Sequence, residues 1–120
     1  MSAASEDLRA VLADAFGGAR DLTPAPDQPP HILLPTLELP APWTPSPTRA
    51  LTIWAGWPAQ RPEFLIDPAL VSDTDEPPRS NSMVLRLGQE WREFSFSFTW
   101  HGDDPVRVVK LWLHRFTESS

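Results

Sequence analysis

Proline is concentrated in one stretch of this chain. Nine of the fifteen prolines fall within Pro24–Pro47. Each proline removes a backbone N–H donor and biases the residue before it toward extended geometry, so a central strand is not expected there. Two extended pieces, His31–Leu34 and Thr36–Leu39, are predicted as an edge strand followed by a stiff loop. The apolar content, Trp43 included, is too high for a segment that never packs.

Composition limits the class of protein. The 120 residues suit a single domain over 1–120, and six Trp and six Phe can fill one core. A formal net charge of -6 argues against nucleic acid or an anionic membrane surface as partner. The chain has no cysteine, its three histidines lack metal-ligand spacing, and no cofactor motif is present, so neither metal nor cofactor is predicted. Without a leader pattern or an apolar run of membrane length, the expected location is cytoplasmic.

Helical patterns mark both ends of the chain. Ser5–Phe16 reads as an amphipathic helix with Ser5 as N-cap and Gly17-Gly18 as its stop. Its predicted apolar face comprises Leu8, Val11, Leu12, Ala15 and Phe16. A second helix is predicted over Pro105–Phe116, started by Asp103-Asp104.

Between the helices the sequence predicts strands. Ala50–Trp54 and Phe64–Ile66 are short strands, and Glu93–Trp100 alternates apolar and polar residues as a half-buried strand does. Ser72–Ser82 is polar and interrupted by two prolines, so an exposed, mobile loop is expected, with Met83 beginning the next buried segment. The fold class is therefore α+β: an antiparallel meander with both terminal helices packed on one side.

Two motifs carry a resemblance to a known family. Trp57-Pro58-Ala-Gln-Arg-Pro62 resembles the aromatic-Pro-x-x-x-Pro turn of the ubiquitin-conjugating superfamily and its RWD-like relatives. Gly88-Gln-Glu-Trp91, with the terminal helix beyond it, is similar to bacterial ubiquitin-conjugating-like (UBC/RWD-like) proteins. The resemblance implies a single UBC/RWD-like domain whose partners are a ubiquitin-like protein and its activating enzyme. Trp57 and Trp91 are also expected to be largely buried, a packing role that needs no further function.

The family's nucleophilic cysteine has no counterpart in this chain. The resemblance places it near Met83, and no thiol exists in the sequence, so thioester chemistry is excluded for this chain. Ser80 or Ser82 is a candidate to accept a modifier as an oxyester, with Asn81 as a candidate oxyanion donor. A base would have to come from a residue such as Asp73, Asp75 or His101.

Other interpretations remain open at this stage. The serines can equally be ordinary solvated loop residues, and a native cysteine can have been replaced. The function expected is a UBC/RWD-like component of a bacterial modifier-conjugation pathway. The alternatives are a non-catalytic adaptor with the same fold, or a secretion-type chaperone.

Overall fold

In the computed structural model, residues 3–41, 43–57, 59–72, 74, 81–94, 104–114 and 116 are described, and they form two helices and six strands. The helices are α1 (Ala3–Phe16) and α2 (Pro105–His114). The strands are β1 (Arg20–Asp21), β2 (His31–Leu37), β3 (Thr48–Ile53), β4 (Glu63–Ile66), β5 (Asn81–Arg86) and β6 (Gln89–Phe94). The six strands make one antiparallel sheet in the order β1-β2-β3-β4-β6-β5. The predicted α+β class is therefore confirmed.

The proline-rich segment supplies β2, one unbroken strand where two extended pieces were predicted. β2 is not the edge of the sheet, because the two-residue strand β1 pairs with Ile32 and Leu33 on its outer side. Pro35 falls where the register of β2 against β3 shifts, between Leu34 and Leu37. A proline is tolerated at such an irregularity because the ladder needs no donor from it there.

Local signals set two of the four helix ends. Gly17 has φ +77° and donates its N–H to Ala13 O at 2.8 Å, which ends α1 at Phe16 as predicted. The predicted N-cap is wrong: α1 begins at Ala3, and Ser5 lies inside it with a buried side chain. At α2, the Oδ1 atom of Asp104 accepts hydrogen bonds from the backbone N–H groups of the first turn, as an N-cap does.

The main core lies between the two helices and one face of the sheet. Its central contact is a stacked pair, Phe64 of β4 and Trp112 of α2, with ring centroids 4.6 Å apart. Trp43 donates its indole N–H to the backbone oxygen of Phe116 at 2.8 Å, which anchors the proline-rich segment. Both helices bury side chains in this cluster, so they pack on the same side of the sheet. Val11 does not belong to the buried face of α1, since it is 43% exposed.

The β5–β6 hairpin curls over the other face of the sheet. The register pairs Leu65 with Glu93 and Arg86 with Gln89. By this register, a flat sheet would separate Arg86 from Glu63 by about 20 Å along the strand direction. Yet Nη2 of Arg86 lies 2.8 Å from Oε1 of Glu63. The hairpin must therefore bend across the sheet, in line with the strong twist of two-stranded ribbons.

A second, smaller apolar cluster fills the space beneath the curled hairpin. Its buried members are Leu51, Ile53, Leu65 and Trp91, with Leu33 and Val84 packed against them. The guanidinium of Arg49 lies 4.5 Å from the centre of the Trp91 ring and also binds Asp67 and Gln89. This cluster gives the sheet a second buried face, so the arrangement is more than helices packed on one side.

Three predictions about the second half of the chain need correction. The predicted exposure of the loop is wrong at Ser72, which is buried, and the loop ends earlier than predicted, because β5 begins at Asn81. Met83 is 48% exposed, because it lies on the outer face of an edge strand. The strand predicted over Glu93–Trp100 begins at Gln89, and its residues beyond Phe94 lie outside the described part.

Candidate functional site

The β5–β6 hairpin carries the residues that the sequence singled out. Ser80 lies outside the described residues, and Asn81 is described only in its backbone, as the first residue of β5. Ser82 is the second residue of that strand, with an exposed side chain. The acids and the histidine considered as its base, Asp73, Asp75 and His101, lie outside the described part, as does Pro58.

Ser82 has an acidic neighbour that sequence reasoning did not find. The ladder pairs Ser82 directly with Glu93 of β6, so their Cβ atoms are about 4.5–5.5 Å apart on the inner face of the hairpin. The Ser82 hydroxyl makes no hydrogen bond to any residue that the structure describes. The pair thus places a hydroxyl beside a carboxyl group without the nucleophile–base hydrogen bond that an activated serine needs.

Glu93 belongs to a pair of carboxyl groups. Burial raises the pKa of Glu93, and the hydrogen bond to Glu63 together with the negative charge of Glu63 raises it further. The positive charges of Arg86 and Arg61 act in the opposite direction. Arg86 neutralises Glu63 directly, with 2.8 Å between Nη2 and Oε1. Glu93 therefore holds its proton to a higher pH than an ordinary glutamate does.

The Trp57–Pro62 turn shapes the wall of a cleft next to this pair. Trp57 packs edge-on against Trp54, with centroids 5.0 Å apart, and is partly buried against the main core, less completely than Trp91. Pro62 is buried, and Gly56, with φ +75°, lets the Gln60 side chain approach its backbone closely. The cleft, of about 460 Å³, is lined by Ile53, Ala55, Gln60, Arg61, Pro62, Glu63, Arg86 and Glu93.

Trp91 has the buried position that the sequence predicted. It is 2% exposed, pairs across the hairpin with Val84, and sits under the Arg49 guanidinium. It fixes the inner face of the hairpin against β3 and β4. Its role in the described structure is packing.

The outer face of the hairpin carries a row of exposed apolar side chains, which we call the apolar stripe: Met83, Leu85 and Leu87. They are 48%, 66% and 39% exposed, and they alternate along β5 into the turn. β5 is the last strand of the sheet, and no strand of the described part pairs with its outer side. Within the described part of the chain, the backbone donors and acceptors on that side of β5 therefore have no strand partner.

Leu87 adds a second unusual feature to the stripe. Leu87 and Gly88 form the two-residue turn between β5 and β6, both with positive φ, at +52° and +73°. This is the geometry of a type I′ turn, in which Asn or Gly is normally found at the first position. A leucine there is strained by about 1–2 kcal/mol. Backbone strain of this kind is found mainly at functional positions. In the sequence, the alternating apolar residues Met83, Leu85 and Leu87 just before Gly88 were the signal for this stripe.

Comparison with known proteins supplies no relative. No family model matches the chain, and no significant match is found among curated proteins or solved structures. Among the described residues, no group of three or more His, Cys, Asp or Glu side chains is placed to hold a metal ion. Neither described helix is long and apolar enough to span a membrane.

Proposed function

We propose that this protein is a cytoplasmic, UBC/RWD-like component of a bacterial ubiquitin-like modifier conjugation pathway, which binds its partner without thioester chemistry. The resemblance in the Trp57–Pro62 turn and at Trp91 supports the family. That turn joins two neighbouring strands of the antiparallel sheet, β3 and β4, and helices stand at both ends of the described chain. The lack of any cysteine supports the restriction on chemistry.

The observation that carries the binding function is the apolar stripe on edge strand β5. An extended segment of a partner can pair with the open backbone of β5, while its apolar side chains cover Met83 and Leu85. Burial of these side chains would remove from water the most exposed of the large apolar residues described. The strain at Leu87 is consistent with the same role. The chain has an apolar side chain at a turn position where folding alone favours Asn or Gly.

The partner in this proposal is the ubiquitin-like protein. β5 carries no acidic residue, and its one charged residue, Arg86, faces inward and is paired with Glu63. A partner strand whose apolar side chains cover the apolar stripe is therefore complementary to this edge. Calorimetry with the ubiquitin-like protein alone and with the activating enzyme alone separates this partner from binding of the enzyme at the same edge.

A second candidate function is ester formation at Ser82. The specific observation in its favour is the direct pairing of the exposed Ser82 with Glu93. In the step required, the hydroxyl oxygen bonds to the carbonyl carbon of an activated modifier, a thioester or acyl adenylate. The bond from that carbon to its leaving group breaks, and the hydroxyl proton passes to Glu93. Glu93 would have to be ionised for this role, and its raised pKa makes it a slightly stronger base than an ordinary carboxylate.

One incubation tests both forms of the proposal. The chain is mixed with a purified bacterial ubiquitin-like protein, its activating enzyme and ATP, and the products are separated on a denaturing gel. The binding function predicts a complex in native conditions and no adduct on the denaturing gel. Ester formation predicts an adduct that hydroxylamine removes and that a Ser80→Ala, Ser82→Ala double variant does not form. A chain that binds neither the modifier nor the enzyme would refute the proposal.

A further inference from the structure

The cleft beside the Trp57–Pro62 turn has the size and lining of a small-molecule site. Its volume of about 460 Å³ falls within the range of ligand pockets, and its walls combine apolar side chains with a few charged groups. The sheet supplies one wall through the ends of β3 and β4. The curled hairpin supplies the other through Arg86 and Glu93. Nothing in the proposed partner binding at the outer edge uses this inner surface.

One side of the cleft offers donors for an anionic group. The Arg61 guanidinium makes no hydrogen bond or ion pair within the described part of the chain. The side chain of Gln60 lies next to it in sequence and is held over the backbone of Gly56, where an added Cβ would come within 3.0 Å of the Gln60 amide. A free guanidinium with an amide beside it suits a carboxylate, which Arg binds with two parallel hydrogen bonds.

The other side of the cleft offers acceptors for a cationic group. Glu63 and Glu93 stand together, and of the two only Glu63 has a cation within ion-pair distance among the described residues, namely Arg86. Two adjacent carboxyl groups compensated by one guanidinium favour a further positive charge. Burial is the largest cause of the raised pKa of Glu93, and the neighbouring Glu63 carboxyl group raises it further.

We propose that this cleft binds a small zwitterion, with the ligand's ammonium group between Glu63 and Glu93 and its carboxylate on Arg61 and Gln60. Arg61 and Glu93 carry opposite charges in one cleft and form no ion pair with each other, so a ligand of matching polarity can bridge them. A simple anion would leave Glu93 without a matching charge, and a simple cation would leave Arg61 without one. The proposal goes beyond the binding of a modifier and does not depend on it.

Titration of the intact protein with matched ligands tests the proposal. Glycine, 4-aminobutyrate and glycylglycine place the ammonium and carboxylate groups at increasing separation. Glycinamide lacks the carboxylate, and N-acetylglycine lacks the ammonium group. At least one of the three zwitterions should bind at least about tenfold more tightly than both blocked ligands, because each lost charge leaves a charged partner unmatched. Equal affinities for zwitterions and blocked ligands, or no binding by any of them, would overturn it.

Variants assign the binding to the cleft. Arg61→Met and Glu93→Gln should each weaken the zwitterion by at least about tenfold. Arg20→Met on β1 and Glu90→Gln on β6 change the same charges at exposed positions away from the cleft and should leave the affinity unchanged. Full binding by the Arg61 and Glu93 variants would refute the assignment.

A readout on the parent protein needs no variant to fold. Glu63, Arg86 and Arg61 are the charged groups that act on Glu93, and an ammonium group beside it favours its ionised form. At mildly acidic pH, binding should therefore release protons, which calorimetry detects as a heat that depends on the buffer's ionisation enthalpy. A heat independent of the buffer would contradict the placement of the ammonium group.

Discussion

Leu87 occupies a backbone conformation that most side chains avoid. Its φ of +52° at the first position of the hairpin turn crowds its Cβ against the backbone, while the side chain itself remains 39% exposed. Folding gains little from this leucine, and the hairpin would close more readily with asparagine or glycine there.

Leu87→Asn should therefore stabilise the protein by about 1 kcal/mol, measured by urea denaturation. Leu85→Asn is the matched control, because it removes the same exposed side chain from a position in extended strand geometry, where no strain is relieved. A Leu87→Asn variant that is no more stable than the parent, or a control that gains as much, would contradict the strain argument.

The pKa of Glu93 gives the stability of the protein a pH dependence of known sign. Because burial and Glu63 raise this pKa, the folded protein binds the proton more tightly than the unfolded chain does. The contribution of this tighter proton binding to the free energy of unfolding is complete below the ordinary pKa of a glutamate. It is lost as the pH rises through the raised pKa of Glu93. Glu93→Gln cannot ionise, so it should exceed the parent in stability at neutral pH, and the difference should vanish in acid.

Urea denaturation at several pH values checks this prediction, with Glu90→Gln as the control on the exposed face of the same strand. The control should follow the parent at every pH. If the two curves for Glu93→Gln and the parent run parallel from acid to neutral pH, the raised pKa is not the cause assigned here.

At the scale of elements, the two tryptophans of the sequence motifs differ in what they hold together. Trp91 is buried between the curled hairpin and β3, whereas Trp57 is half-buried and contacts Trp54 edge-on. Trp91→Ala should cost about 3–5 kcal/mol of folding free energy. Trp57→Ala should cost less, about 1–2 kcal/mol, because less of its ring is withdrawn from water. Equal losses in thermal and urea unfolding would mean that the hairpin does not cover its cluster as described.

The elements that could be predicted from sequence are those with local signals. Gly17 ends α1 because glycine readily adopts a positive φ. Asp104 begins α2 because its carboxylate accepts hydrogen bonds from the backbone N–H groups of the first turn. β5 escaped prediction because Met83 and Leu85 point outward, so apolar residues did not mark a buried face. The cleft could not be predicted either, because Glu63 and Arg86 meet only through the curl of the hairpin, which no local pattern encodes.

At the scale of the whole molecule, the hairpin separates two surfaces with different chemistry. Its inner face holds a charged cleft, and its outer face holds the apolar stripe on an open sheet edge. The chain as a whole has a net charge of -6, which opposes non-specific association. Neither the charged cleft nor the apolar stripe needs a cysteine to bind a partner, so the lack of thiols in the chain is compatible with binding at both surfaces.

The most direct test of the proposed function measures binding of the purified ubiquitin-like protein to the parent and to two charge-matched variants by calorimetry. Leu85→Glu places a carboxylate in the apolar stripe, and Val11→Glu places one on α1, at a valine that is 43% exposed. We predict that Leu85→Glu weakens binding by at least about tenfold, since a charge would be buried without a partner, while Val11→Glu binds as the parent does. Absence of binding by the parent, or equal binding by Leu85→Glu and the parent, would contradict the assignment of the β5 edge as the docking surface.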